Sequence, residues 1–127
     1  MILDGAHNPL GAESLASYVS SNLPRSKAVL MLGVLGDKDV ASIIRPLAPL
    51  FKEIVCVKAP SHRGASPKDL AAAARSSGAR VLVEMSDVAN AIETLVDRMD
   101  KEDTLIISGS LTVVGEAKSF FMRRKNV

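Results

Sequence analysis

The sequence predicts an α/β domain, a mostly parallel sheet of about five or six strands with helices on both faces. Three observations carry this. Short apolar runs alternate with longer stretches of helical spacing along the whole 127 residues. The runs are continuously apolar, the mark of strands buried on both faces of a sheet. Helix starts between them carry cap residues and first-turn prolines.

Taken in order, Met1 to Leu3 reads as the end of a first buried strand. Pro9 to Leu23 follows as a helix, with Leu10, Leu15, Val19 and Leu23 at near-helical spacing and Asn8 as its cap. Lys27 to Val34 is the second strand. Asp39 to Phe51 carries Val40, Ile43, Ile44, Leu47 and Leu50 on one helical face, and Pro46 and Pro49 should kink or split it. Glu53 to Lys58 is the third strand. Ser66-Pro67 opens the next helix and Gly78 closes it. Arg80 to Met85 is the fourth strand, and Ser86 or Asp87 caps a helix through Met99. Thr104 to Ser108 is the fifth strand, and Gly115 to Arg124 the last helix, with Lys118, Arg123, Arg124 and Lys125 favouring its C-terminal end. A first strand with no lead-in predicts that the chain lost an N-terminal part; the alternative is a short protein with a docked N-terminal strand.

Composition narrows the function. Apolar residues make up 47% and charged residues 24%, ordinary for a globular domain. A net charge of +2 and 3% aromatics argue against nucleic acid as a partner. One cysteine makes no internal disulfide, and with two histidines it is a poor zinc kit. No apolar run approaches a membrane span of about 20 residues, and no signal peptide is legible. A cytoplasmic, monomeric protein without membrane contact is expected.

Ligands of such sheets sit beyond the carboxyl ends of the strands. Four loops therefore matter. Asp4, His7 and Asn8 follow the first strand, where a carboxylate, an imidazole and a helix N-terminus suit a ribose, phosphate or carboxylate; a cap and a solvated loop are the bland alternative. Gly33-Val34-Leu35-Gly36-Asp37-Lys38-Asp39 offers close backbone approach and a point charge, or only a turn with Asp39 as cap. In Ser61-His62-Arg63-Gly64-Ala65-Ser66, Arg63 could clamp an anion or pair with a neighbouring acid. Ser108-Gly109-Ser110-Leu111-Thr112 suits a carboxylate, or is plain capping. Cys56 reads as core.

Leu3-Asp4-Gly5-Ala6-His7-Asn8-Pro9 resembles the motif that opens the C-terminal domain of folylpolyglutamate and dihydrofolate synthases, in the Mur ligase superfamily. Gly36-Asp37-Lys38-Asp39, Arg63-Gly64-Ala65 and Ile107-Ser108-Gly109-Ser110-Leu111 continue the resemblance in order across essentially the whole chain. Ser61-His62 departs from it where relatives often carry a proline. The resemblance implies a Rossmann-like three-layer domain over residues 1–127. It also implies an ATP-dependent ligase that adds L-glutamate to a reduced folate or to dihydropteroate through an acyl phosphate. ATP and Mg2+ would be bound mainly by a preceding P-loop ATPase domain; no GxxxxGK[ST] occurs here. Asp4, His7 and Asn8 would face ATP, with His7 catalytic. Lys38 and Ser110 would handle glutamate. Arg63 is a further anion contact, and no metal ligand is assigned. Two alternatives stand beside this: a stand-alone nucleotide- or anion-binding module, and the equivalent domain of a Mur peptidoglycan ligase.

Overall fold

Five parallel strands order themselves β1-β5-β2-β3-β4, with β1 at Ile2–Asp4, β2 at Ala28–Gly33, β3 at Glu53–Val57, β4 at Val81–Met85 and β5 at Thr104–Gly109. The structure is a computed structural model, and it describes residues 1–5, 8–36, 39–60, 63–85 and 87–125. All four strand pairings are parallel. Five α-helices connect or follow them: α1 (Pro9–Asn22), α2 (Val40–Leu47), α3 (Pro67–Ser76), α4 (Val88–Arg98) and α5 (Leu111–Lys125).

The side-chain period of two along each strand divides the core. Leu30, Leu32, Ile54, Cys56 and Ile106 face α1, α2 and α3, where Leu15, Val19, Ile43, Ile44, Leu47 and Leu70 meet them. Val29, Met31, Val55, Val57, Leu105 and Ile107 face α4 and α5, against Ile92, Leu95, Val113 and Phe120. Every residue of β2 is buried, because β5 and β3 flank it and helices cover both its faces. That burial is why its sequence is apolar without alternation.

Handedness explains which helix goes where. The steps β1 to β2, β2 to β3 and β3 to β4 all move in one direction across the sheet, and their helices lie on one face. The step from β4 back to β5 moves the other way, so a right-handed crossover puts α4 on the opposite face. β5 therefore lies between β1 and β2 with its following helix on the face away from theirs.

Several boundaries differ from expectation. β1 runs one residue further, so Asp4 ends the strand and pairs with Ser108. Lys27 belongs to a 3-10 turn over Arg25–Lys27 rather than to β2. The expected split near Pro46 and Pro49 is real but late: α2 keeps Pro46 inside it, and a 3-10 turn over Ala48–Leu50 follows. α5 begins at Leu111, four positions before the expected Gly115, because Ser110 rather than a glycine sets its start. Asp87 caps α4, accepting from the Ala89 and Asn90 backbone N–H groups. Gly78 has φ +87, the left-handed conformation that ends the α3 segment.

Candidate functional site

The strand order has two switch points, between β1 and β5 and between β5 and β2. At each the chain leaves neighbouring strands toward opposite faces, the arrangement at which such sheets bind ligands. Asp4 stands at the end of β1 beside Ser108 of β5, and Ser108 stands beside Leu32 of β2. One step further Gly109 pairs with Gly33.

That last pairing is a close backbone approach. Gly109 has φ +118, and a Cβ built on it would collide with the carbonyl of Gly33. A Cβ on Gly33 would meet Val113 Cγ2 and the Val57 carbonyl oxygen, both at 2.9 Å. The Ser110 N–H donates to the Gly33 carbonyl at 2.8 Å. Two glycines thus let β2, β5 and the start of α5 close on one another without side chains between them.

Two helix N-termini flank this edge. Asn8 caps α1 through its side chain, which accepts from the Gly11 N–H at 2.7 Å. Ser110 is 5% exposed; its Oγ accepts from the Val113 N–H at 3.4 Å and shares a 2.6 Å hydrogen bond with Thr112 Oγ1. Both caps are neutral and neither first turn holds an acid, which suits these helix ends to an anion. Leu10 and Leu111 stand just inside these helices and are 73% and 71% exposed.

The two neighbouring loops are fastened together. Leu35 forms an antiparallel bridge with Gly64. The Gly36 N–H donates to the Arg63 carbonyl at 2.6 Å, and the Ala65 N–H to the Val34 carbonyl at 2.9 Å. The Arg63 residue is exposed at this junction. Asp39 caps α2, accepting from the Ser42 N–H and hydroxyl at 3.2 and 2.7 Å. These Ser42 hydrogen bonds hold its carboxyl below the usual carboxylate range.

Of the residues singled out in the sequence, the structure gathers Asp4, Asn8 and Ser110 at one edge, with Arg63 on the adjoining loop pair. His7 and Lys38 lie outside the described residues, as do Asp37, Ser61 and His62. Cys56 is core: burial pushes its thiol up to about 12, so it offers no thiolate near neutral pH. Among the described residues no three His, Cys, Asp or Glu side chains converge on a metal position, and no helix is long and apolar enough to cross a membrane. Sequence reasoning named Ser108 within the segment Ser108-Gly109-Ser110-Leu111-Thr112 but assigned it no role of its own. It is fully buried, and its Oγ has no hydrogen-bond partner among the described residues. The one available signal was a hydroxyl ending the otherwise apolar run Thr104-Leu105-Ile106-Ile107.

Comparison with known proteins decides the family. The sequence profile described as "Mur ligase, glutamate ligase domain" matches residues 1–111. The chain belongs to the Mur ligase glutamate ligase domain family. Within that family it is 30% identical over 137 aligned positions to the dihydrofolate synthase/folylpolyglutamate synthase of Mycobacterium tuberculosis, covering 97% of this chain and 28% of that protein. It is 27% identical to the enzyme of the same name from Buchnera aphidicola, covering 98% of this chain. Among solved structures, E. coli FolC in complex with DHPP and ADP superposes with a TM-score of 0.85 at 25% identity, over 96% of this chain and 28% of that one. Mycobacterium tuberculosis folylpolyglutamate synthase complexed with ADP gives 0.81 at 30% identity, over 93% of this chain and 29% of that one. A glutamate ligase domain of this kind thus spans less than a third of the relatives it matches.

Proposed function

We propose that this chain is the C-terminal, glutamate-adding domain of an ATP-dependent acid–amino-acid ligase. The acceptor is a reduced folate, dihydropteroate or both, and a P-loop ATPase domain outside these residues completes the enzyme. The observation that carries the reading is the family match together with the carboxyl edge, where Asp4 and two neutrally capped helix ends lie at neighbouring strand ends. The relatives' names supply the acceptor class.

In this reading the acceptor carboxylate oxygen attacks the γ-phosphorus of ATP, releasing ADP and leaving an acyl phosphate. The amine of L-glutamate then attacks the acyl carbon, phosphate departs and the nitrogen loses a proton. Asp4 and Asn8 approach the nucleotide from this domain's side. His7 follows the same strand and is assigned to the junction between nucleotide and glutamate. Lys38 supplies a point charge for the dicarboxylate, Ser110 is assigned to glutamate as well, and Arg63 is a further anion contact. Mg2+ would supply charge neutralisation on the nucleotide phosphates; no group of described residues here would hold it, and its ligands are assigned to the P-loop domain. Exposed Leu10 and Leu111 fit the contact with that domain, since closure excludes water that would hydrolyse an acyl phosphate.

The test is turnover by the full-length enzyme. ADP release that depends on both L-glutamate and a folate or dihydropteroate acceptor, with a product one glutamyl unit heavier by mass spectrometry, is expected. Micromolar ATP binding by the 127 residues alone, without glutamate-dependent turnover in the full-length chain, would establish a stand-alone binding module instead.

A further inference from the structure

Ser108 is 0% exposed, and its hydroxyl makes no hydrogen bond among the described residues. A buried hydroxyl without a partner costs stability, and alanine at the same place would remove that cost. The side chain lies on the α1 face of the sheet: strand alternation groups it with Ile106, while Ile107 faces the other way. Asp4 is its register partner in β1, and alternation from Ile2 puts the Asp4 side chain on the same face. On its other side stands Leu32, which is buried and offers no polar atom. Asp4 is therefore the polar side chain next to the stranded hydroxyl across the sheet.

Neighbouring strands run about 4.8 Å apart. Rotation about the side-chain torsions of Ser108 and Asp4 is enough to bring Oγ within hydrogen-bond distance of a carboxylate oxygen. A carboxylate accepts several hydrogen bonds at once, so this one adds to whatever else Asp4 holds. We propose that Ser108 is a positioning residue: its hydroxyl donates to Asp4 when nucleotide is bound and holds the carboxylate in its binding orientation. This rests on the ligase reading and on Asp4 facing the nucleotide. The stranded donor costs stability, and nucleotide binding uses it.

The experiment is steady-state kinetics and thermal melting of the full-length enzyme with Ser108→Ala, Ser108→Cys and Ser108→Thr. Ser108→Ala is expected to raise the ATP KM about tenfold, the size of one hydrogen bond to a charged group. Its kcat and glutamate KM should stay within about twofold, and its Tm should be unchanged or higher. Ser108→Cys, close in size but a weak donor, should follow alanine, and Ser108→Thr should restore the ATP KM. A wild-type ATP KM in Ser108→Ala overturns the inference. So does a lowered Tm with a general fall in kcat, which marks a packing role. If the wild-type enzyme shows no glutamate-dependent turnover, the ligase reading fails first and takes this inference with it.

Discussion

The Ser110 backbone N–H donates to the carbonyl of Gly33 across 2.8 Å, tying the start of α5 to the end of β2. The bond is possible because Gly109, just before Ser110, adopts φ +118. Gly109→Ala should therefore lower stability by about 2–4 kcal/mol, since the backbone conformation and the collision with Gly33 both resist a side chain. Gly78→Ala, at φ +87 with nothing near its Cβ, should cost only about 1 kcal/mol. Gly115→Ala, inside α5 with open space around it, should stabilise by about 0.5–1 kcal/mol. Denaturant melts of the three variants give the ranking.

At the opposite end of the sheet, Lys52 Nζ donates to both carboxylate oxygens of Asp103 at 2.8 Å, and the Asp103 side chain is 2% exposed. The Lys52 hydrogen bond, outweighing the cost of burial, holds the Asp103 carboxyl below the usual carboxylate range. A depressed folded pKa contributes stability that is present above the unfolded carboxylate value. It is lost as pH falls through the folded value. Asp103→Asn should lower the Tm at neutral pH and flatten the loss of stability below about pH 4. A parallel offset of the two curves at every pH would contradict this.

Asn8→Ala should destabilise by about 1 kcal/mol through loss of the α1 cap. The same change should weaken nucleotide use in the full-length enzyme if the α1 N-terminus faces the anion. Circular dichroism melts and ATP KM values separate the two effects.

In the full-length enzyme, Asp4→Ala should impair ATP use more than Lys38→Ala does. Lys38→Ala should instead raise the glutamate KM with little change in kcat, because a point charge beside a dicarboxylate mainly supplies binding. Kinetics with each substrate varied in turn decide it. An unchanged glutamate KM would remove Lys38 from the site.

The 127-residue chain by itself should unfold in one cooperative thermal transition, because its helices close both faces of its sheet. It should bind ATP and L-glutamate no more tightly than about millimolar, roughly −4 kcal/mol, and release no phosphate. Calorimetric titration and a phosphate-release assay test both statements. Micromolar binding would show that this domain builds a complete pocket alone.

The sequence by itself determined the alternation of strands and helices, the burial of β2, and most caps. Those features follow from local chemistry: a continuous apolar run needs cover on both faces, and Asn8, Asp39 and Ser66 each accept backbone N–H groups within their own first turn. The Asp4 to Asn8 motif also marked one end of the candidate site. Only the tertiary structure decided that β5 inserts between β1 and β2. That order brings Ser108, over a hundred residues away in sequence, to the side of Asp4. It also decided that Ser110, which on spacing suited either a ligand or a cap, caps α5 through its hydroxyl. Strand order depends on which apolar faces pack together across the whole chain, and a buried hydroxyl reads as polar or as stranded only once its neighbours are known.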